Sequence, residues 1–262
     1  MKDDIAPSLI EKVNKSFEAN YNSSPQIEKL ISKEVKTYKD AYRYAEQVGQ
    51  ARALSYMEIS SEVLPDGKMY YNIASRLMED TLGADQKMIA EYAASAQETA
   101  NKKSGLKLKA QIAELDEDRI EGFVARLSNE EVFDDVSWIL NEPVKTFERS
   151  VVDDTVKKNA EFQNRAGVEA TVIRIAAYGC CPWCLDLAGE YTYPKVAGEV
   201  FQRHDNCRCT LDYDGKRLKA YAVEDSNAFW GMRDTHTFRD LDKLEERKQY
   251  AKATTSRTRR KR

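Results

Sequence analysis

Cys180-Cys181-Pro182-Trp183-Cys184, nineteen intervening residues, then His204-Asp205-Asn206-Cys207-Arg208-Cys209: this stretch holds all five cysteines of the chain and one of its two histidines. The pattern is C-x2-C followed by H-x2-C-x-C. Thiolate sulfur and imidazole nitrogen are the ligands a tetrahedral zinc ion prefers, and two chelating turns joined by a loop commonly supply four of them. Short β-branched or alternating runs lie around the cysteines, at 170–177 (ATVIRIAA), 199–203 and 207–213 (CRCTLDY). They predict a small strand-rich module over residues 169–215, built around the cysteines. A module with so few large apolar residues gains from a metal staple.

The candidate ligands are Cys181, Cys184, His204, Cys207 and Cys209. Cys181 and Cys184 form the first pair, and the neighbouring Cys180 is expected to face elsewhere as a packed thiol. The second pair is open: His204 and Cys207 have suitable H-x2-C spacing, whereas Cys207 and Cys209 would share one strand face. Five candidates for four places leave one surplus. Cys209, which shares its face with Leu211 and Tyr213, is the first to set aside.

Other chemistries fit these residues less well. C-x-x-C spacing also tunes thiols in redox proteins, but three more ligand-type residues follow in a tight group, and no βαβ thioredoxin pattern surrounds them. Zinc deaminase chemistry needs H-x-E ahead of P-C-x-x-C, and here the order is reversed and the Glu is absent. The cysteines are too crowded to leave one as the nucleophile of a Cys-His pair. His236 lies in a polar segment and reads as an exposed side chain. The acidic pairs Asp116/Asp118, Asp134/Asp135 and Asp153/Asp154 read as solvated faces or first turns of helices. With no phosphate-binding loop, G-x-S-x-G or H-E-x-x-H, the expectation is that the chain is not an enzyme.

The remaining sequence is helical in character. Of 262 residues, 42% are hydrophobic and 32% charged, with 11 Gly and 6 Pro, which describes a helix-rich globular chain. Apolar positions recur at helical spacing over 26–63, which predicts one long amphipathic helix. Leu64-Pro65-Asp66-Gly67 breaks it, and a second helix is predicted over 69–100, with Leu82-Gly83-Ala84 as a possible interruption. Residues 106–149 read as shorter helices divided near Ser128 and Pro143, and 150–168 as a helix closed by Gly167. The fold class expected is therefore mainly α, with long amphipathic helices in the N-terminal part and a small C-terminal α+β module stapled by zinc. The domains expected are 1–168 (helical), 169–215 (cysteine/histidine module) and 216–262 (a polar arm with a basic tail).

Net charge is −3, yet residues 247–262 carry eight basic residues and no acidic one, so the preceding chain sums to −11. A basic tail on an acidic body suits a polyanion, and Arg257, Arg259, Arg260, Lys261 and Arg262 are the candidate nucleic-acid contacts. No run reaches the roughly 20 apolar residues of a membrane span. The first residues, MKDDIAPSLIEKVNKSF, lack the apolar segment of a secretion signal, so the expectation is a chain used without export, with reduced cysteines.

A family resemblance rests on specific residues: Val151-Val152-Asp153-Asp154-Thr155, Asn159-Ala160-Glu161-Phe162-Gln163, Arg165-Ala166-Gly167 and Arg174. It continues through the C-x2-C pair, Leu187-Ala188-Gly189, Tyr191-Thr192-Tyr193-Pro194, Val200-Phe201-x-Arg203-His204-Asp205-Asn206-Cys207-Arg208-Cys209 and Tyr213. Softer matches are Tyr44 to Gly49, Ile59-Ser60, Leu64-Pro65-Asp66-Gly67-x-Met69-Tyr70 and Asp118-Arg119-Ile120. Together they resemble the minor head proteins of tailed bacteriophages, the Mu F-type family, in the branch found in phages of Gram-positive hosts. The resemblance implies a non-enzymatic virion component inside the capsid near the portal vertex, present in the host cytoplasm during assembly. It implies binding to the portal protein, with the scaffold or major capsid protein as further candidates, and a part in head assembly, DNA packaging, retention or ejection. The basic tail would then meet packaged DNA. The alternatives are a zinc-ribbon nucleic-acid-binding protein, against which the weakly charged 169–215 module counts, and a C-x-x-C thiol-redox protein.

Overall fold

A computed structural model describes residues 4–213 of the chain. The basic residues Arg257, Arg259, Arg260, Lys261 and Arg262, the arm from 216 and His236 lie outside the described residues. Two compact units divide the chain: Met1–Asn159 with Arg203–Asn206, and Ala160–Gln202 with the residues from Cys207 onward.

The first unit is built from helices α1 (Ala6–Asn22), α2 (Pro25–Ile31), α3 (Tyr38–Tyr56), α4 (Tyr71–Lys103), α5 (Glu117–Asn129) and most of α6 (Glu142–Arg165). In α1 the buried residues are Ala6, Leu9, Val13 and Phe17, spaced three or four apart to make one apolar stripe. The single helix predicted over 26–63 is instead two. At Thr37 the side chain accepts from the Asp40 backbone N–H while the Asp40 carboxylate accepts from the Thr37 N–H, a reciprocal cap that starts α3 afresh. Helix α4 runs unbroken through Gly83 for 33 residues, because the surrounding alanines and leucines outweigh one glycine. It ends as a Schellman turn, with Leu106 N–H bonded to Asn101 C=O and Gly105 at φ 73°.

Residues 106–116, predicted as helix, form neither helix nor strand. Their backbone is paired by side-chain amides in place of a neighbouring strand. Gln86 donates to Ala113 C=O, Asn101 to Leu108 C=O, and Asn159 both accepts from Gln111 N–H and donates to Gln111 C=O. Once these amides are buried, each needs a partner, and the irregular segment supplies it. Helix α1, not assigned from the sequence, adds a further layer.

The interior of this unit holds a buried ion pair between helices. Arg52 of α3 donates from Nε and Nη2 to the two oxygens of Asp85 on α4, both bonds 2.7 Å. Its Nη1 reaches Asn14 Oδ1 at 3.1 Å, and its guanidinium lies 3.8 Å from the Phe17 ring centroid, both on α1. Nearby, α3 and α6 approach closely at Gly49, where a Cβ would stand 3.1 Å from Glu148 Cγ. Glu148 is fully buried, with Asp85 beside it. Burial, reinforced by the charge of Asp85 and opposed by that of Arg52, raises its pKa well above the ordinary value.

A buried acid with a raised pKa favours the folded state at low pH, fully below the unfolded pKa of about 4.3. That advantage is lost as pH climbs from there towards the folded pKa, because the unfolded chain releases the proton first. Glu148→Gln is therefore expected to raise the melting temperature at pH 7 while changing it little at pH 4. Equal shifts at both pH values in calorimetry would contradict this account.

The second unit begins where α6 closes. Val168 N–H bonds to Gln163 C=O and Gly167 N–H to Asn164 C=O, with Gly167 at φ 76°, so Gly167 terminates the helix as the sequence predicts. Three antiparallel strands follow, β1 (Thr171–Ile175), β2 (Gly189–Thr192) and β3 (Thr210–Tyr213), in the order β2-β1-β3. Between them lie the short helix α7 (Pro182–Asp186) and a 3-10 turn over Gly198–Phe201, where the sequence had suggested a strand. Strand β2 has no counterpart among the runs that predict strands. The chain is thus mainly helical with a small C-terminal α+β module that carries a cysteine cluster, in agreement with the fold class read from the sequence.

Candidate metal centre

Strand β1 places the site. Register pairs Val172 with Tyr213 and Arg174 with Leu211, and all four are buried. Buried positions continue at a spacing of two ahead of β3, through Cys209 and Cys207, while Arg208 between them is exposed. The alternation expected of a strand face therefore brings both cysteines inward, although the paired strand begins only at Thr210. Across from them, Cys181 caps α7, Pro182 starts it with a preset φ, and one turn delivers Cys184.

The sulfurs of Cys184, Cys207 and Cys209 lie within 4.8 Å of one another, and all three residues are buried. Cys184 Sγ and Cys207 Sγ are 3.6 Å apart, and Cys181 Sγ lies within 4.8 Å of Cys184 Sγ. Ala177 contributes to the same buried cluster, and Ala177 N–H donates to Cys209 Sγ at 3.4 Å. The thiols are not joined by disulfides.

Two sequence expectations change here. Cys180 does not face elsewhere: it packs against the cluster, and hydrogen bonding with Cys209 lowers its pKa. Cys209, the candidate set aside first, is brought into the group by the hydrogen bond from Ala177 N–H, just beyond β1, and by its place on the buried face. The Cys184 thiol is pushed up by hydrogen bonding with Cys207 and Cys209, and the Cys209 thiol by Cys180. Without a cation, such crowding opposes thiolate formation; a coordinated metal reverses it.

His204 lies on the Arg203–Asn206 segment, grouped with the helical unit and held there by Arg203. That guanidinium forms a buried ion pair with Asp153, Nη2 to Oδ1 being 3.0 Å, and stands 5.3 Å from the Tyr42 ring centroid. Asp153, predicted to be solvated, is 1% exposed and also accepts from Tyr42 Oη at 2.5 Å. No local pattern signals this pairing, since the partners are fifty and more than a hundred residues away. The other acidic pairs fit their predicted roles in part: Asp116 caps α5 by accepting from Arg119 N–H, while Asp134 accepts from Ser61. His204 is half-buried, with Nδ1 2.7 Å from Asp205 C=O. If Nδ1 donates there, Nε2 is the nitrogen left for a metal. Asn206 follows at φ 60°, a left-handed turn that Asn tolerates better than most residues.

The donors suit zinc. With Zn–S bonds near 2.3 Å, tetrahedral geometry sets neighbouring sulfurs about 3.8 Å apart, close to the 3.6 Å between Cys184 and Cys207. Within the second unit, cysteine side chains close enough to hold a metal ion are thus present, and Cys181, Cys184, Cys207 and Cys209 would supply sulfur. Soft ligands of this kind, when four of them close the coordination shell, are those of structural zinc sites.

The fold and cluster define a mainly helical protein with a small cysteine-rich sheet module. A family model described as VG15 protein matches residues 30–231, and the chain belongs to this family of phage and viral proteins. No curated protein and no solved structure matches the chain. Among the described residues, no helix is long and apolar enough to cross a membrane.

Proposed function

We propose that the chain is a non-enzymatic minor head protein of a tailed phage, which binds the portal inside the capsid and assists head assembly, DNA packaging, retention or ejection. The observation that carries this reading is the family match, whose span takes in both cysteine motifs. The Mu F-type resemblance of those motifs supplies the finer assignment. A structural zinc ion, held by four of Cys181, Cys184, His204, Cys207 and Cys209, stiffens the small module, because metal binding is coupled to folding. The helical faces supply apolar and charged stripes for docking on the portal, with scaffold or major capsid protein as further partners. Arg257, Arg259, Arg260, Lys261 and Arg262 neutralise phosphates of packaged DNA, which predicts an affinity that falls with salt.

The test is to express the chain with the portal protein encoded beside it and to look for both in one complex, together with mass spectrometry of purified DNA-filled heads. Co-purification and a few copies per head support the reading. Absence from heads and from the portal complex sinks it. The zinc-ribbon alternative instead predicts sequence-selective nucleic-acid binding by residues 169–215 alone.

A further inference from the structure

Arg174 is the one arginine on the buried face of the small sheet, and it is 3% exposed. Its Nη1 donates to Val200 C=O, while Nη2 points at two sulfurs, Cys184 Sγ at 3.8 Å and Cys207 Sγ at 3.9 Å. The guanidinium also stands 5.6 Å from the Trp183 ring centroid. Nε has no hydrogen-bond partner. Among the described residues, no carboxylate pairs with this cation. A guanidinium remains charged under all ordinary conditions, so a buried one calls for a compensating anion.

We propose that Arg174 is the positioning residue of the metal centre, holding Cys184 and Cys207 as thiolate ligands by sharing one N–H-bearing nitrogen between them. The inference rests on the zinc reading above and deepens it. A zinc ion with four thiolates carries net charge −2, and one with three thiolates and a neutral histidine carries −1. Either is the anion that the buried guanidinium lacks in the thiol form of the site. Cys184 and Cys207 are therefore ligands whichever of Cys181, His204 and Cys209 complete the set. The fork also fixes how the two motifs meet: Cys184 comes from α7 and Cys207 from the approach to β3, and Arg174 on the central strand reaches both. Outer-shell donors of this kind orient ligands and tune the metal.

The experiment uses the full chain as parent, Arg174→Gln and Arg174→Lys, loaded with zinc or with cobalt(II) as a spectroscopic substitute. Zinc affinity is read by competition with a chromophoric chelator. Loss of the guanidinium is expected to weaken zinc by about 10- to 100-fold, with Arg174→Lys intermediate because an ammonium keeps the charge without the fork. In the cobalt proteins, removing N–H···S bonds raises the sulfur lone-pair energy, so the sulfur-to-cobalt charge-transfer band is expected to move to longer wavelength in Arg174→Gln. A role confined to packing would leave that band in place. Parent and both variants with the same affinity and the same band would overturn the assignment of Arg174 alone. A parent that binds neither metal would overturn the zinc reading and this inference with it.

Discussion

Cys184→Ser is expected to abolish stoichiometric zinc binding and to unfold the cysteine module, while most of the helical circular dichroism survives. Cys184 is fully buried and is the sulfur common to the contacts with Cys181, Cys207 and Cys209. A serine hydroxyl is a poor zinc ligand, and its burial among thiols adds a polar group in need of a partner. The module has little to set against that loss. Its three strands are four or five residues long, and its apolar interior is limited to residues such as Val172, Val200, Phe201, Leu211 and Tyr213. Structural zinc contributes on the order of 10–16 kcal/mol of apparent binding free energy in small domains, more than such a core supplies. Helices α1 to α5 carry their own buried faces and are expected to persist. Metal analysis, far-ultraviolet circular dichroism and limited proteolysis over residues 169–213 report the three parts of the expectation. A variant that keeps one zinc per chain and resists protease there would show that Cys184 is not a ligand. Treatment of the parent with a strong chelator should reproduce the effect, more readily as pH falls and protons compete for the thiolates.

Legibility from sequence followed the range of the interactions. The C-x2-C and H-x2-C-x-C spacings are local, so the candidate ligands could be read directly, and so could Gly167, because a helix stop is encoded within a few residues. The selection among ligands was less accessible. Cys209 was set aside as core, yet the buried face of β3 is also the face that carries the cluster, so core and site coincide. Arg174 is visible in the sequence as one of the residues that carry the family resemblance and as one basic residue in a weakly charged module; its place at the site depends on strand register, which pairs it with Leu211. The break between α2 and α3 was legible in Thr37-x-x-Asp40, a capping signature that helical periodicity alone passes over. The irregular run over 106–116 was not, since its partners Gln86, Asn101 and Asn159 come from two other helices. Asp153 failed for the same reason: a carboxylate beside another reads as a helix surface until Arg203 and Tyr42 are known to lie against it.

Asp85→Ala is expected to cost the helical unit about 3–5 kcal/mol, the usual penalty when one member of a buried ion pair is removed. The charges are nearly inaccessible, with Arg52 1% and Asp85 0% exposed at the side chain, and the two 2.7 Å bonds are bidentate. Without the carboxylate, Arg52 keeps only Asn14 and the faces of Phe17 and Tyr56. None of these carries the negative charge it needs, and Glu148, whose pKa is raised, is a poor replacement at low pH. The effect should spread across helices, because Arg52 on α3, Asp85 on α4 and Asn14 and Phe17 on α1 meet at this point. For a domain of this size, each kcal/mol lowers the melting temperature by about 2–4 °C, a loss easily read by calorimetry. Replacing both partners, as in Arg52→Met with Asp85→Leu, is expected to recover much of the stability, because desolvation of the pair offsets much of its attraction. That comparison separates two ideas. If the double variant is as unstable as Asp85→Ala, the charges themselves hold the three helices together; if it recovers, the penalty lay in the orphaned arginine, and the pair fixes which helices meet more than how strongly they do so.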